Sequence, residues 1–209
     1  MNEVIDKKEL LSALTAASSL IIELGCGSRK RNAEAIGIDI LDYPAVDLVG
    51  DIYEVLQKFP DSCVVHASAH HFIEHVDDLN LLMSELERIV KPDGVVDFVV
   101  PHFSNPYFYS DPTHQKFFGL YTFCYMSYST LFSRQVPTYQ NDLVFSLERV
   151  DLKFKSAKPF YGRYVFKSAI GKIFNSCNYM KELYEESFCY LFPCYEVRYQ
   201  LRRMDKSGT

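Results

Sequence analysis

Apolar residues fall in short β-branched runs separated by helical or turn-like segments along most of the first half of the chain. In residues 3–17, Leu10, Leu11, Leu14 and Ala17 share one face at helical spacing with no Gly or Pro between them, which predicts an N-terminal helix. Leu20-Ile21-Ile22-Glu23-Leu24 predicts a strand that stops at Gly25, a residue able to take positive φ. Ala35 to Ile40 and Val46 to Val49 predict two further strands, each closing near an acid, and Cys63 to Ser68 a fourth with His66 buried inside it. Asp77 or Asp78 can cap a helix whose apolar positions are Leu79, Leu82, Met83, Leu86, Ile89 and Val90, until Lys91-Pro92-Asp93-Gly94 ends it and turns the chain. Val95 to Val100 is a fifth strand. Strands alternating with helices or short crossovers predict an α/β fold, with a mostly parallel sheet covered on both faces.

Past Phe103 the periodicity dissolves into an aromatic stretch, and strand-like segments return at about 144–155 and 194–203 with a helical, Tyr- and Phe-rich stretch between them. The chain therefore reads as a single domain over 1–209, with a cofactor-binding part at about 18–102. Segments 103–143 and 156–193 are elaborations that cap the ligand crevice. A length of 209 residues with 48% apolar content suffices for one core. No apolar run approaches the ~18 residues of a membrane span. The acidic start MNEVIDKKELL argues against a cleaved leader, so a soluble, cytoplasmic protein is expected. Six cysteines without a CxxC pair suit reduced thiols better than a disulfide or zinc framework.

Charge and aromatics divide the chain. Residues 1–150 hold 11 Lys+Arg against 21 Asp+Glu, and residues 151–209 hold 11 against 6. An acidic front half disfavours nucleic acid, whose phosphates demand a cationic surface.

The Glu23-Leu24-Gly25-Cys26-Gly27-Ser28 turn sits where the first strand ends, the place at which open parallel sheets bind ligands. A dinucleotide fingerprint wants a third Gly after two intervening residues; Lys30 holds that place, and the 10 residues from Gly27 to Gly37 are too few for a full crossover helix. NAD or FAD is disfavoured. Asp39, ending the second strand, can accept from both hydroxyls of a ribose, and Asp51, after the third, can receive an adenine amino group. A ligand with an adenosine end and a cationic middle suits this rim, and S-adenosylmethionine is such a ligand.

The motifs ELGCGS, GIDI, GDIYEVL, ASAHHFIEHV, VKPDG and VVDFVVPHFSNPYFYSDPTHQKFF, in that order, resemble the class I S-adenosylmethionine-dependent methyltransferases. More narrowly they are similar to the small bacterial branch associated with surface-polysaccharide biosynthesis. The resemblance is dense over 20–118 and looser to 203. It implies a Rossmann-like fold with a seven-stranded sheet flanked by helices and a C-terminal aromatic-rich helical cap. It also implies cofactor contacts from Glu23, Gly25, Cys26 and Gly27 for the methionine portion, Asp39 with Ile40 for the ribose, and Asp51 with Ile52 for the adenine. The turn Ser68-Ala69-His70-His71 would lie beneath the sulfonium. The segment Ser28 to Glu34 is shorter than the family's first crossover helix, so Arg29, Lys30 or Arg31 is left to meet the methionine carboxylate.

All six histidines fall between His66 and His114. Methyl transfer to a hydroxyl needs an oriented acceptor and a group to take its proton, a task suited to His. His114, in Asp111-Pro112-Thr113-His114, is the first candidate base, with Asp111 to orient it or act itself; His71 and His102 follow. Glu74 and His75 read as hydrogen-bonding residues that fix a loop. No metal is expected, although His71 and His75 at i,i+4, with His102, His114 and Asp111 nearby in sequence, compete as a metal site. The rings between Tyr107 and Tyr128 can pack the cap or wall a glycan pocket, and Lys153, Lys155, Lys158, Arg163, Lys167 and Lys172 can meet an acceptor's phosphates or an anionic membrane surface. The expected activity is O-methylation of a sugar or sugar-derived precursor. The alternatives are methylation of another small metabolite and a non-catalytic scaffold.

Overall fold

A computed structural model describes residues 4–138, 144–156 and 159–205. The last five residues of the 103–143 elaboration and Lys158 of the basic run lie outside them. Among the described residues one eight-stranded sheet forms, from β1 (Ile5–Asp6), β2 (Leu20–Leu24), β3 (Ile36–Asp39), β4 (Leu48–Val49), β5 (Val64–His70), β6 (Val90–Pro101), β7 (Phe145–Lys153) and β8 (Glu196–Arg203). The order is β1-β4-β3-β2-β5-β6-β8-β7. Strands β4, β3, β2, β5 and β6 run parallel, β8 is antiparallel to β6 and β7, and β1 is antiparallel at the far edge. The Rossmann-like class of the sequence reading holds, with one short edge strand added to the seven expected.

That strand replaces the start of the expected N-terminal helix. The Asp6 carboxylate accepts from the N–H groups of Lys8 and Leu11, Glu9 takes a left-handed φ of 54°, and only a short 3-10 turn forms at Leu11–Ala13. An Asp that bonds the local backbone competes with a helix, and a 15-residue amphipathic stretch is marginal alone. Ile5–Asp6 gains more by pairing with Leu48–Val49.

The helices are α1 (Ile52–Leu56), α2 (Leu79–Ile89), α3 (Tyr161–Phe174) and α4 (Asn178–Leu183), the last continued by a π turn at Tyr184–Phe188. Asp78 caps α2 by accepting from Leu81 N–H, as its position predicts, and Leu82, Met83, Leu86 and Ile89 form the buried face. The stop at Lys91–Gly94 is a bulge inside β6 rather than a separate turn: the register with β5 jumps from Val64↔Val90 to His66↔Val95. Asp93, at φ 63°, bends it.

His66 corrects a second expectation. Its side chain is 35% exposed and lies 3.0 Å from Asp97 on β6, which also binds Arg198 and Gln200 on β8. This pleat is a part-exposed polar ladder, not core. The core proper includes Ile22, Leu24, Ile38, Leu56, Phe59 and Phe98. The aromatic segment extends it: Phe123 stacks on Phe98 at 5.2 Å between ring centroids and meets Tyr199 edge-on at 4.7 Å.

Candidate functional site

The parallel strands β2, β3 and β5 present their carboxyl ends on one side, and β2 runs into a turn at Gly25 and Gly27, both left-handed with φ of 62° and 60°. A Cβ on Gly25 would stand 2.3 Å from Cδ2 of Phe72, whereas one on Gly27 would meet nothing within 4 Å. The first glycine thus makes room for a ring, and the second leaves an open cradle. Asp39 holds the cradle's shape, its Oδ2 accepting from Gly27 N–H at 2.8 Å and its Oδ1 from Leu41 N–H at 2.9 Å. Glu23, buried, accepts from the backbone N–H groups of Arg31 and Asn32, which fixes the helix-free crossover in place. Ser68 and Ala69 lie beside Glu23 and Leu24 in the sheet and floor the turn.

Two cavities flank the glycine turn. One of about 490 Å³ is lined by Glu23, Gly25, Cys26, Arg29, Lys30, Arg31 and His70. The other, about 220 Å³, is lined by Asp39, Ile40, Asp51, Ile52 and Tyr53, with Phe72 and His75 opposite. Asp51 caps α1 through Oδ1, bonding the N–H groups of Tyr53 and Glu54. The expected cofactor residues therefore converge from separate elements. Of the three candidate cations, Lys30 is held by Asp47 at 2.7 Å and by the Ala35 carbonyl. Arg29 and Arg31 line the larger cavity and form no ion pair among the described residues. Burial, reinforced by Arg31, pushes His70 down to about 4, so this ring is neutral near pH 7. Burial likewise raises the Cys26 thiol to about 11 and keeps it un-ionised.

The histidines part company. His71, left-handed at φ 52°, is 2.9 Å from Glu196 on β8 and 3.4 Å from Glu74. Hydrogen bonding to Glu196, helped by the negative charge of Glu74 nearby, lifts it to about 9, and an imidazolium cannot take a proton at neutral pH. His102 is fully buried, with Nδ1 on Ser104 and Nε2 3.1 Å from Glu185. Partners far along the chain, Glu196 and Glu185, thus engage the two rings that the sequence offers as further candidate bases. His114 remains. Its Nδ1–H donates to the Phe108 carbonyl at 2.9 Å, which leaves Nε2 as the lone-pair nitrogen of the neutral ring, 3.7 Å from Asp111. The His75 ring lies 4.8 Å from it, centroid to centroid. The competing metal set of His71, His75, His102, His114 and Asp111 is thus divided: His75 and Asp111 both adjoin His114, whereas His71 and His102 are held by other partners.

Sequence reasoning passed over Phe72 and Glu196. Glu74, read as a residue whose hydrogen bonds fix a loop, makes such bonds through its carbonyl, while its side chain is completely buried beside the histidines. In the cap, Phe108, Phe118, Phe123 and Phe132 are buried, while Tyr107, Tyr109 and Phe117 are exposed. Phe108 bridges His114 at 4.7 Å and Phe117 at 5.0 Å, so exposed rings adjoin the His114 edge. A third cavity of about 520 Å³ lies within the cap, lined by Tyr121, Arg134, Tyr179, Glu182, Glu185 and Glu186 among others. In the basic run, Lys155 is drawn to Glu196 at 2.5 Å.

Residues 22–98 match the family model described as a methyltransferase domain. A search of curated proteins gave no match. Among solved structures, the chain is similar to a SAM-dependent methyltransferase from Archaeoglobus fulgidus, at TM-score 0.53 and 17% identity over 92% of this chain and 89% of that one. It is also similar to a protein of Bacillus halodurans C-125, at TM-score 0.50 and 12% identity over 94% of this chain and 96% of that one. At such identities the structural likeness speaks for the fold, and the matched domain covers the glycine turn and both acids of the crevice.

Proposed function

We propose that this S-adenosylmethionine-dependent methyltransferase methylates an oxygen, a hydroxyl of a sugar or sugar-derived precursor of a cell-surface polysaccharide. Enzyme class and cofactor rest on the matched domain and the fold; the acceptor and the residue roles are our reading. The residues present fit the cofactor: an open cradle at Gly27, acids at Asp39 and Asp51, and Arg29 and Arg31, without an ion pair among the described residues, in the other cavity. When bound, S-adenosylmethionine supplies an electrophilic methyl on a sulfonium that leaves readily. Asp39 would hold the ribose, Asp51 and the N–H of Ile52 the adenine, and Arg29 or Arg31 the methionine carboxylate. Glu23, Gly25 and Cys26 would frame the methionine portion, with Ser68, Ala69 and His70 beneath it.

One observation carries the oxygen reading. The Nε2 of His114 faces Asp111 beside exposed Tyr109 and Phe117, and the neighbouring His75 lines the cavity of Asp39 and Asp51. The exposed rings offer C–H stacking faces for a pyranose. In this reading the Asp111–His114 pair would take the hydroxyl's proton. On the surface of α3, exposed Tyr161, Tyr164, Val165 and Phe166 alternate with Arg163 and Lys167, which favours an acceptor carrying phosphate or lipid at an anionic membrane. The test is transfer of labelled methyl to a panel of nucleotide sugars, monosaccharides and amines. Label on a sugar oxygen supports the reading; label only on amines refutes it.

A further inference from the structure

Glu74 is completely buried, and neither of its carboxylate oxygens receives a hydrogen bond. Among the described residues the one basic side chain paired with it, His71 at 3.4 Å, is claimed more closely by Glu196 at 2.9 Å. A carboxylate buried with so little compensation is strongly unfavourable unless something else meets it. One donor atom each from Glu74, His75 and His114 lie within 4.8 Å of one another.

The hydrogen bonds around the two rings settle which nitrogens can donate electrons. Thr113 spends its only hydroxyl proton on Asp111 Oδ1, at 2.6 Å, so its 2.9 Å contact with His75 makes His75 Nδ1–H the donor. His114 Nδ1–H is committed to the Phe108 carbonyl. In each neutral ring Nε2 therefore keeps the lone pair. Orientation of a ligating imidazole by a bond from its other nitrogen, to a backbone carbonyl or through a hydroxyl to a carboxylate, is the arrangement that supports metal ligands. Two imidazoles and one carboxylate favour zinc or another divalent transition ion over calcium or magnesium, and three protein ligands leave a coordination position open.

We propose that Glu74, His75 and His114 bind one divalent transition-metal ion at the mouth of the adenosine-side cavity. Binding of the ion stands on these residues alone; its use in the reaction rests on the acceptor reading above. There the open position takes the acceptor hydroxyl and lowers its pKa. The O–H bond breaks, its proton passes to the Asp111 carboxylate, and the oxygen forms its bond to the methyl as the carbon–sulfur bond of the cofactor breaks. His114 is then a ligand and Asp111 the proton acceptor.

The experiment uses the full chain, stripped with chelator and titrated with zinc by calorimetry and with cobalt by visible absorption. One equivalent should bind, with the intensified d–d band of a low-coordinate site, and zinc should raise the melting temperature. Glu74→Gln and His75→Ala should each weaken binding at least tenfold. Thr113→Val, which removes only the support of His75, should weaken it less. A cooperative melting transition and a far-ultraviolet circular dichroism spectrum like that of the wild type certify that each variant folds. Absence of stoichiometric binding by the folded wild type, or equal binding by all variants, overturns the site. If zinc binds as stated but no sugar is methylated, the acceptor reading fails and the site stands; if sugar methylation persists undiminished in stripped enzyme, the ion's catalytic use fails.

Discussion

The carboxylate of Asp39 accepts a hydrogen bond from the backbone N–H of Gly27 at 2.8 Å, so the acid that ends β3 also fixes the glycine turn that ends β2. One side chain thus shapes the cradle and faces the cavity in which a ribose would lie. Asp39→Ala should weaken binding of S-adenosylhomocysteine at least tenfold by calorimetry, about 1.4 kcal/mol. Asp39→Asn, which keeps an acceptor oxygen, should lose less. Equal affinity in all three proteins would remove Asp39 from the cofactor site.

Gly25 is constrained twice, by its φ of 62° and by Phe72 against its α-carbon. Gly25→Ala should cost about 1–2 kcal/mol from the left-handed backbone alone, with the ring overlap added. Pairing it with Phe72→Ala relieves the overlap but not the backbone strain, so thermal unfolding should recover only in part. Full recovery would place the constraint in packing alone.

The His71–Glu196 pair predicts how stability depends on pH. His71 is lifted to about 9 by its bond to Glu196 and the nearby charge of Glu74, so its contribution is complete below the ordinary imidazole value of 6.5 and fades as pH rises through 9. Glu196 is held at about 2 against the opposing pull of burial, through bonds from His71 and Lys155, so its contribution is complete above 4.5 and is lost as pH falls through 2. The pair contributes most between those limits. With 36% of the His71 side chain exposed, screening limits it to about 1 kcal/mol. Wild type should therefore lose ~2–4 °C more than Glu196→Gln between pH 6.5 and 9. Parallel melting curves would show that the pair does not hold the turn.

Much of this arrangement is legible along the chain, because β-branched runs, the Asp78 cap and the left-handed glycines are local signals. The N-terminal segment misleads because its fate depends on the Asp6 turn and on pairing with β4, which helical spacing does not report. The histidines mislead for a related reason. Glu196 makes His71 a cation, and Glu185 makes buried His102 a structural link to the cap, both from the far end of the chain. Glu74 reads as a residue that fixes a loop, which its carbonyl does by accepting from Gln115 and Lys116 N–H, but nothing local tells that its carboxylate is buried. Spacing alone shows that histidines cluster; only tertiary partners show which keep a lone pair.

His114→Ala should leave the affinity for S-adenosylhomocysteine nearly unchanged and lower turnover on the best sugar acceptor about 100-fold or more, the size expected for loss of proton removal or of a hydroxyl-activating ligand. His71→Ala and His102→Ala should act mainly through stability. Turnover of His114→Ala at the wild-type level would move the reacting centre elsewhere.

The most direct measurement is a crystal structure with S-adenosylhomocysteine bound. The adenine should lie at Asp51 and Ile52, the ribose at Asp39 and the carboxylate by Arg29 or Arg31, with the sulfur turned toward His75 and His114. A ligand bound in that crevice with its sulfur turned away, toward the cap cavity of Glu182 and Glu186, would contradict the account.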